Sequence, residues 1–155
     1  MNHSTSAQYK HSQKIVDELQ HFLADTYVLY LKTQNFHWNI KGFGFYNFHK
    51  MLEEQYLELA EATDEIAERI RALGCYAPAS FSQYSQLASI KEQVEYVDTK
   101  TMLSILLKDH ETMSKTAISM IPKAQKGCDE GTADLLVGRS KVHDKIVWML
   151  KSTLS

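Results

Sequence analysis

The 155-residue chain is poor in punctuation. Two prolines and six glycines are too few for the turn density of an all-β sandwich or barrel. Two cysteines, Cys75 and Cys128, are too few for a disulfide framework and point to a reducing compartment. No apolar run reaches the roughly 18 residues of a membrane span. The opening MNHSTSAQYK lacks the charged-then-apolar order of a signal peptide. A cytoplasmic protein with no membrane partner is therefore expected. Basic charge is also missing, since 17 Lys and Arg face 19 Asp and Glu, so the electrostatic footprint of a nucleic-acid binder is absent. What the chain does have is seven histidines and an ordinary apolar fraction of 44%, enough for one domain with a real core.

The apolar periodicity is helical throughout. A small, polar stretch over 1–8 reads as a flexible tail, and 9–155 as the domain. The first helix is expected from about Tyr9 to Asn39, before the break KGFG at 41–44. A second runs from about Tyr46 to Leu73 with Gly74 as its C-terminal cap. The serine-rich link over 75–97 holds room for one short helix near Ser82–Leu87. A third helix starts at Asp98 or Thr99, with Asp98 as N-cap, and Pro122 kinks or ends it. A fourth runs from about Thr132 to Leu150. Four long helices with a long middle link predict an all-α four-helix bundle whose middle link is a crossover.

At about 100° per residue, the second helix divides into three faces. Phe45, Phe48, Leu52, Tyr56, Leu59, Thr63, Ile66, Ile70 and Leu73 make a core stripe. His49, Glu53, Asp64 and Glu68 share a second face, and Glu54, Glu58, Glu61 and Glu65 a third. An antiparallel hairpin brings His37, in NFHW, near His49, in NFHK. Imidazole plus carboxylate without thiolate suits Fe(II), Mn(II) or Zn(II). Spacing alone leaves two readings open: a metal site, or hydrogen-bonded core histidines beside solvated carboxylates.

Geometry adds a constraint. His49 and Asp64 are separated by 15 positions on one helix, about 22 Å at about 1.5 Å per residue. No single metal reaches both within one chain. Two copies packed antiparallel across a twofold axis would set His37 and His49 of one against Asp64 and Glu68 of the other, making two equivalent sites. The intrachain di-iron design uses paired Glu-x-x-His motifs, and the only match here is Glu18–His21.

The pattern His37-x11-His49-x14-Asp64-x3-Glu68 resembles the Dps family of ferritin-like mini-ferritins. So do the stretches TYVLYLKTQNFHWNIKG, FHKMLEEQY, LAEATDEIAERIRALG, DEGTADLL and VWML. The resemblance implies a ferritin-like bundle with a short helix in the crossover, assembled as a hollow dodecamer. It implies ferroxidase activity on Fe(II), preferably with hydrogen peroxide, at two-iron sites shared between subunits, with Fe(III) stored inside. By motif position His37, His49, Asp64 and Glu68 are then the ligands, Glu53 assists the second iron, and Trp38 lies beside the centre. The acidic face of the second helix would line the cavity. Asp129, Glu130 and Asp134 resemble acids around the family's threefold pores, where carboxylates would concentrate Fe(II); helix capping is their other reading. DNA-binding members often carry a lysine-rich tail. This one offers only Lys10 and Lys14, with His3 and His11, so weak DNA binding is expected. The competing reading is a DNA-compacting protein in which iron oxidation is secondary. Cys75 and Cys128 are expected to be packed or loop thiols.

Overall fold

The computed structural model describes residues 3–155, with side chains from Gln13 onward. It contains α1 (His3–Asn39), α2 (Phe45–Ala72), α3 (Phe81–Leu87), α4 (Thr99–Lys126) and α5 (Glu130–Leu154). Among the described residues no helix is long and apolar enough to cross a membrane.

The boundaries follow local chemistry. Gly74 adopts φ 86°, and the amides of Gly74 and Cys75 bond back to the carbonyls of Arg71 and Ile70 to close α2. Ser80 and Asp98 cap α3 and α4, their side chains accepting from the amides of Gln83 and Thr101. Three expectations shift. The tail expected over 1–8 falls partly on residues 1 and 2, outside the described residues. Over 3–8 the backbone is helical, and no proline or glycine interrupts the chain before Gly42. Pro122 does not end α4, which continues to Lys126. It lies on the exposed side near the helix end, where one lost helical hydrogen bond is tolerated. The last helix starts at Glu130 because its cap is Asp129.

Cross-links between helices define the topology. Glu18 meets Lys123 and Lys32 meets Asp109, so α1 and α4 run antiparallel. Arg69 meets Asp129 and Glu58 meets Arg139, so α2 and α5 do likewise. The start of α4 lies beside the α1–α2 turn, where the Thr99 hydroxyl donates to the Lys41 carbonyl at 3.0 Å. The crossover must therefore return the full length of the bundle.

Helix α1 holds that crossover at successive levels. Gln20 donates to the Tyr76 carbonyl (3.2 Å), and His21 Nδ1 lies 2.7 Å from the Leu87 carbonyl. The buried Asp25 carboxylate accepts from the amides of Ser89 and Ile90 and the Ser89 hydroxyl at 2.6–2.8 Å. Asn35 donates to the Gln93 carbonyl at 2.8 Å. Between α1 and α3 a cleft of about 520 Å³ remains, lined by Tyr27, Leu31, Phe81 and Tyr84 among others.

The core is formed by Phe22, Leu23, Phe36, Leu52, Leu59, Ile66, Met102, Leu106, Met113 and Leu136 among others. On α2, Leu52, Leu59, Ile66 and Ile70 are buried as expected, but Phe45 is 43% exposed, and Gln55 and Ala62 are buried instead. The inward face is rotated slightly toward α5.

One layer of the core is polar. His110 on α4 and His143 on α5 are fully buried, with Nδ1 atoms 2.8 Å apart. Arg139 Nη2 approaches His143 Nε2 at 3.4 Å and its guanidinium pairs with Glu58. Arginine only donates, so His143 Nε2 accepts. The His143 proton is then on Nδ1 and points at His110 Nδ1, which places the His110 proton on Nε2. Burial, followed by the Arg139 charge, pushes His110 down to about 3. Burial, His110 and Arg139 hold His143 well below the usual histidine range. Both are neutral in the folded state.

Both histidines bind protons more readily when unfolded, so stability is complete above about pH 6.5 and declines as pH falls toward the folded values. For His110 alone the loss from pH 7 to pH 5 is about 2 kcal/mol. Urea midpoints across that interval will fall accordingly; a flat profile would refute the neutral pair.

Candidate metal centre

The turn between α1 and α2 sets the geometry. Gly42 (φ 98°) and Gly44 (φ 79°) hold left-handed backbone that side chains disfavour, and a Cβ at Gly44 would lie 2.8 Å from the Phe48 ring. This short reversal places the last turn of α1 against the first of α2. His37 Nδ1 donates to the His49 carbonyl at 2.8 Å, and His49 Nδ1 donates to the His37 carbonyl at 2.9 Å. The His37 carbonyl is among those that a helix end leaves without an internal partner. The rings stack with centroids 3.8 Å apart and planes 16° apart. Phe45 stacks on His49 at 5.0 Å, and Tyr56 meets His37 edge-on at 5.1 Å.

This exchange fixes both tautomers. With each Nδ1 proton committed to a carbonyl, each Nε2 keeps its lone pair, the state a metal-binding imidazole requires. His37 is buried and His49 half-buried.

Glu53 lies one turn beyond His49 and bonds Lys50 at 2.7 Å. The hydrogen bond and charge of the Lys50 ammonium hold its carboxyl below the usual range. Asp64 and Glu68 are exposed, further along α2. The histidines and Glu53 thus share one end of the hairpin, and the Asp64/Glu68 pair does not join them. Among the described residues no group of three or more His, Cys, Asp or Glu side chains is placed to hold a metal within one chain. Trp38 is 63% exposed, next to His37 in sequence but outside its ring stack.

The acids at the start of α5 separate. The Asp129 carboxylate accepts from the Thr132 amide (3.0 Å) and hydroxyl (2.6 Å) and from Arg69 (2.5 Å). Arg69 Nε also donates to Thr132 at 2.9 Å. Asp129 therefore acts as cap and ion-pair partner; these contacts hold its carboxyl below the usual range despite its partial burial. Glu130 and Asp134 are exposed. Lys14 is exposed on α1, and the side chains of His3, Lys10 and His11 lie outside the described residues. Cys75 is half-buried against the core, Cys128 is exposed in the turn, and both are free thiols.

Sequence reasoning missed two groups. On the acidic face of α2, Glu58 pairs with Arg139 from α5, a partner that the spacing within α2 does not reveal. His110 and His143 lie outside the motif that carries the sequence reading. Their signal was positional: His110 continues the buried row Leu106, Met113, Ala117, and His143 lies between Leu136 and Leu150 on a buried row with Arg139.

A ferritin-like domain model matches residues 16–155, which places the chain in the ferritin-like class. An uncharacterized low temperature-induced protein of Nostoc is 38% identical over 90% of this chain and 79% of its own. DNA protection during starvation protein 2 of Bacillus anthracis is 36% identical over 93% of this chain and 99% of its own. The Dps protein of Vibrio cholerae O1, described as a ferritin-like diiron-carboxylate protein, superposes with a TM-score of 0.91 at 34% identity, covering 94% of this chain and 92% of its own. The chain belongs to the Dps family.

The Asp129 contacts carry a stability cost that a pore residue would not. Asp129→Ala removes the cap and leaves Arg69 without its partner, so unfolding should become easier by about 1–2 kcal/mol. Chemical denaturation would contradict this assignment if the variant proved as stable as the wild type.

Proposed function

We propose that the protein oxidises Fe(II) at sites formed between two copies of the chain and stores Fe(III) within a closed shell. The observation that carries this reading is the reciprocal histidine–carbonyl exchange, which holds two imidazole Nε2 atoms ready for a metal in the chain as folded. In this reading iron is the substrate. His37 and His49 supply nitrogen from one subunit, and Asp64 and Glu68 supply oxygen from its antiparallel mate. Glu53, held ionised by Lys50, assists a second iron at the histidine end.

The donor set suits the chemistry. Hard carboxylate oxygens stabilise Fe(III) over Fe(II) and so favour oxidation. Two neighbouring Fe(II) ions deliver two electrons to one hydrogen peroxide, so the product is water rather than a hydroxyl radical. Peroxide is accordingly the preferred oxidant. Glu54, Glu61 and Glu65 are exposed and face the mineral cavity of a dodecamer, whereas Glu58 is neutralised by Arg139. Glu130 and Asp134 remain free to draw Fe(II) to a threefold pore. The protein acts in the cytoplasm and protects DNA and cell by removing Fe(II) and peroxide. With a net charge of −2, the shell repels phosphate, so protection does not depend on DNA contact.

Subunit mixing tests the shared site. A His37→Ala/His49→Ala chain and an Asp64→Ala/Glu68→Ala chain should each lose rapid peroxide-driven iron oxidation. Co-refolded in equal amounts, they regenerate about a quarter of the intact sites, because each mixed twofold pair holds one undamaged site. Absence of any recovery in verified mixed shells would exclude a shared centre. In a mobility-shift experiment near neutral pH and moderate salt, the wild-type protein should leave DNA unretarded. Robust retardation would favour the compaction reading.

A further inference from the structure

Four tyrosines lead away from the histidine pair in unbroken ring contact. Tyr56 on α2 meets the His37 ring edge-on at 5.1 Å. Tyr30 on α1 meets Tyr56 at 6.2 Å and 68°, and Tyr27 meets Tyr30 at 5.7 Å and 65°. Tyr27 then stacks on Tyr84 of α3 at 4.7 Å and 28°. The series crosses three helices, so no single helix repeat produces it. Tyr56, Tyr30 and Tyr27 are half-buried, and Tyr84 is buried at the cleft between α1 and α3. Phenols are, with indoles, the side chains that most readily give up one electron to a strong oxidant. Ring separations of this size permit hopping from one phenol to the next.

We propose that Tyr56, Tyr30, Tyr27 and Tyr84 form a relay that takes up a single oxidising equivalent from the iron site and stores it until a second Fe(II) arrives. The inference rests on the proposed reading of the His37/His49 site. It addresses a failure built into two-electron chemistry, the arrival of peroxide when only one Fe(II) is bound. In the first step the O–O bond of hydrogen peroxide breaks. One electron comes from Fe(II), and one hydrogen atom comes from the Tyr56 hydroxyl. With one further proton from solvent the products are Fe(III), two waters and a tyrosyl radical. The radical moves outward as each neighbouring phenol returns a hydrogen atom's worth of electron and proton to the oxidised one. In the last step a second Fe(II) gives up an electron, a proton comes from solvent, and tyrosine and Fe(III) result. The sum is two Fe(II), one peroxide and two protons yielding two Fe(III) and two waters, with no free hydroxyl radical.

The test uses the assembled protein, given Fe(II) below site stoichiometry and then hydrogen peroxide without oxygen. Rapid-freeze electron paramagnetic resonance should show a tyrosyl radical in the wild type that disappears on adding a second portion of Fe(II), with matching formation of Fe(III). Tyr56→Phe should lower that signal several-fold and raise spin-trapped hydroxyl radical several-fold. Tyr27→Phe and Tyr84→Phe should keep the signal but shorten its lifetime. Each change removes one hydroxyl, and thermal melting verifies that the shell survives. A signal unaltered in Tyr56→Phe, or one abolished only by Trp38→Phe, overturns the relay while leaving the iron reading intact. Fe(II) oxidation by the wild type no faster than in protein-free solution overturns the iron reading and the relay together.

Discussion

The site depends on one exchange of hydrogen bonds, each of two histidine rings donating to the other's backbone carbonyl across a helical hairpin. The His37 carbonyl, at the end of α1, has no helical partner and takes the His49 ring, whereas the His49 carbonyl lies inside α2 and accepts the His37 ring beside its helical bond. The turn serves this exchange: left-handed Gly44 brings α2 against the end of α1, and Phe48 fills the space where a Cβ would be. Tyr56 and Phe45 then pack on the pair from two sides. Orientation of both Nε2 atoms is thus set by two backbone carbonyls of the hairpin, and it needs no carboxylate from the same chain to hold it.

The bundle tolerates a second concentration of polar groups in its interior. His110, His143 and Arg139 are buried at one level, and only the Arg139 guanidinium reaches outward, to Glu58. Burying such groups is unfavourable unless they pair; here the two Nδ1 atoms face each other and the Arg139 Nη atoms reach Glu58 and His143, while His110 Nε2 and Arg139 Nε have no hydrogen-bond partner among the described residues. The two histidine pairs carry opposite assignments. At the hairpin end both Nδ1 protons are spent on carbonyls and the Nε2 atoms are left over. In the core the Nδ1 atoms face each other and one proton serves both.

Much of this was legible in the sequence because the signals were local. Asp98, Gly74 and the KGFG break sit where cap and turn chemistry puts them, and helical periodicity supplies the four-helix count. The spacing of His49 and Asp64 alone separates them along α2, and in the fold Asp64 and Glu68 are exposed away from the histidine pair. What escaped was set by tertiary partners. Polar residues on an apolar row, such as His110 and Arg139, look like interruptions until the neighbouring helix is placed. Asp129 reads as an acid near a pore or a cap, and its pairing with Arg69, 60 residues earlier, belongs to the tertiary fold. Phe45 matched the core stripe by angle, yet it lies at the rim, where a helix has begun but its neighbour has already ended.

The crossover is attached to α1 at Gln20, His21, Asp25 and Asn35, with Thr99 fastened at the far end. Each attachment fixes a point along a rigid helix, so the path between them has little slack. A surface loop ordinarily absorbs insertions at small entropic expense. This one behaves as a measured span, and adding or deleting residues between Tyr76 and Gln93 would detach one level from its anchor. The segment that looks least structured by composition is therefore the one whose length is least free to drift among descendants of this chain.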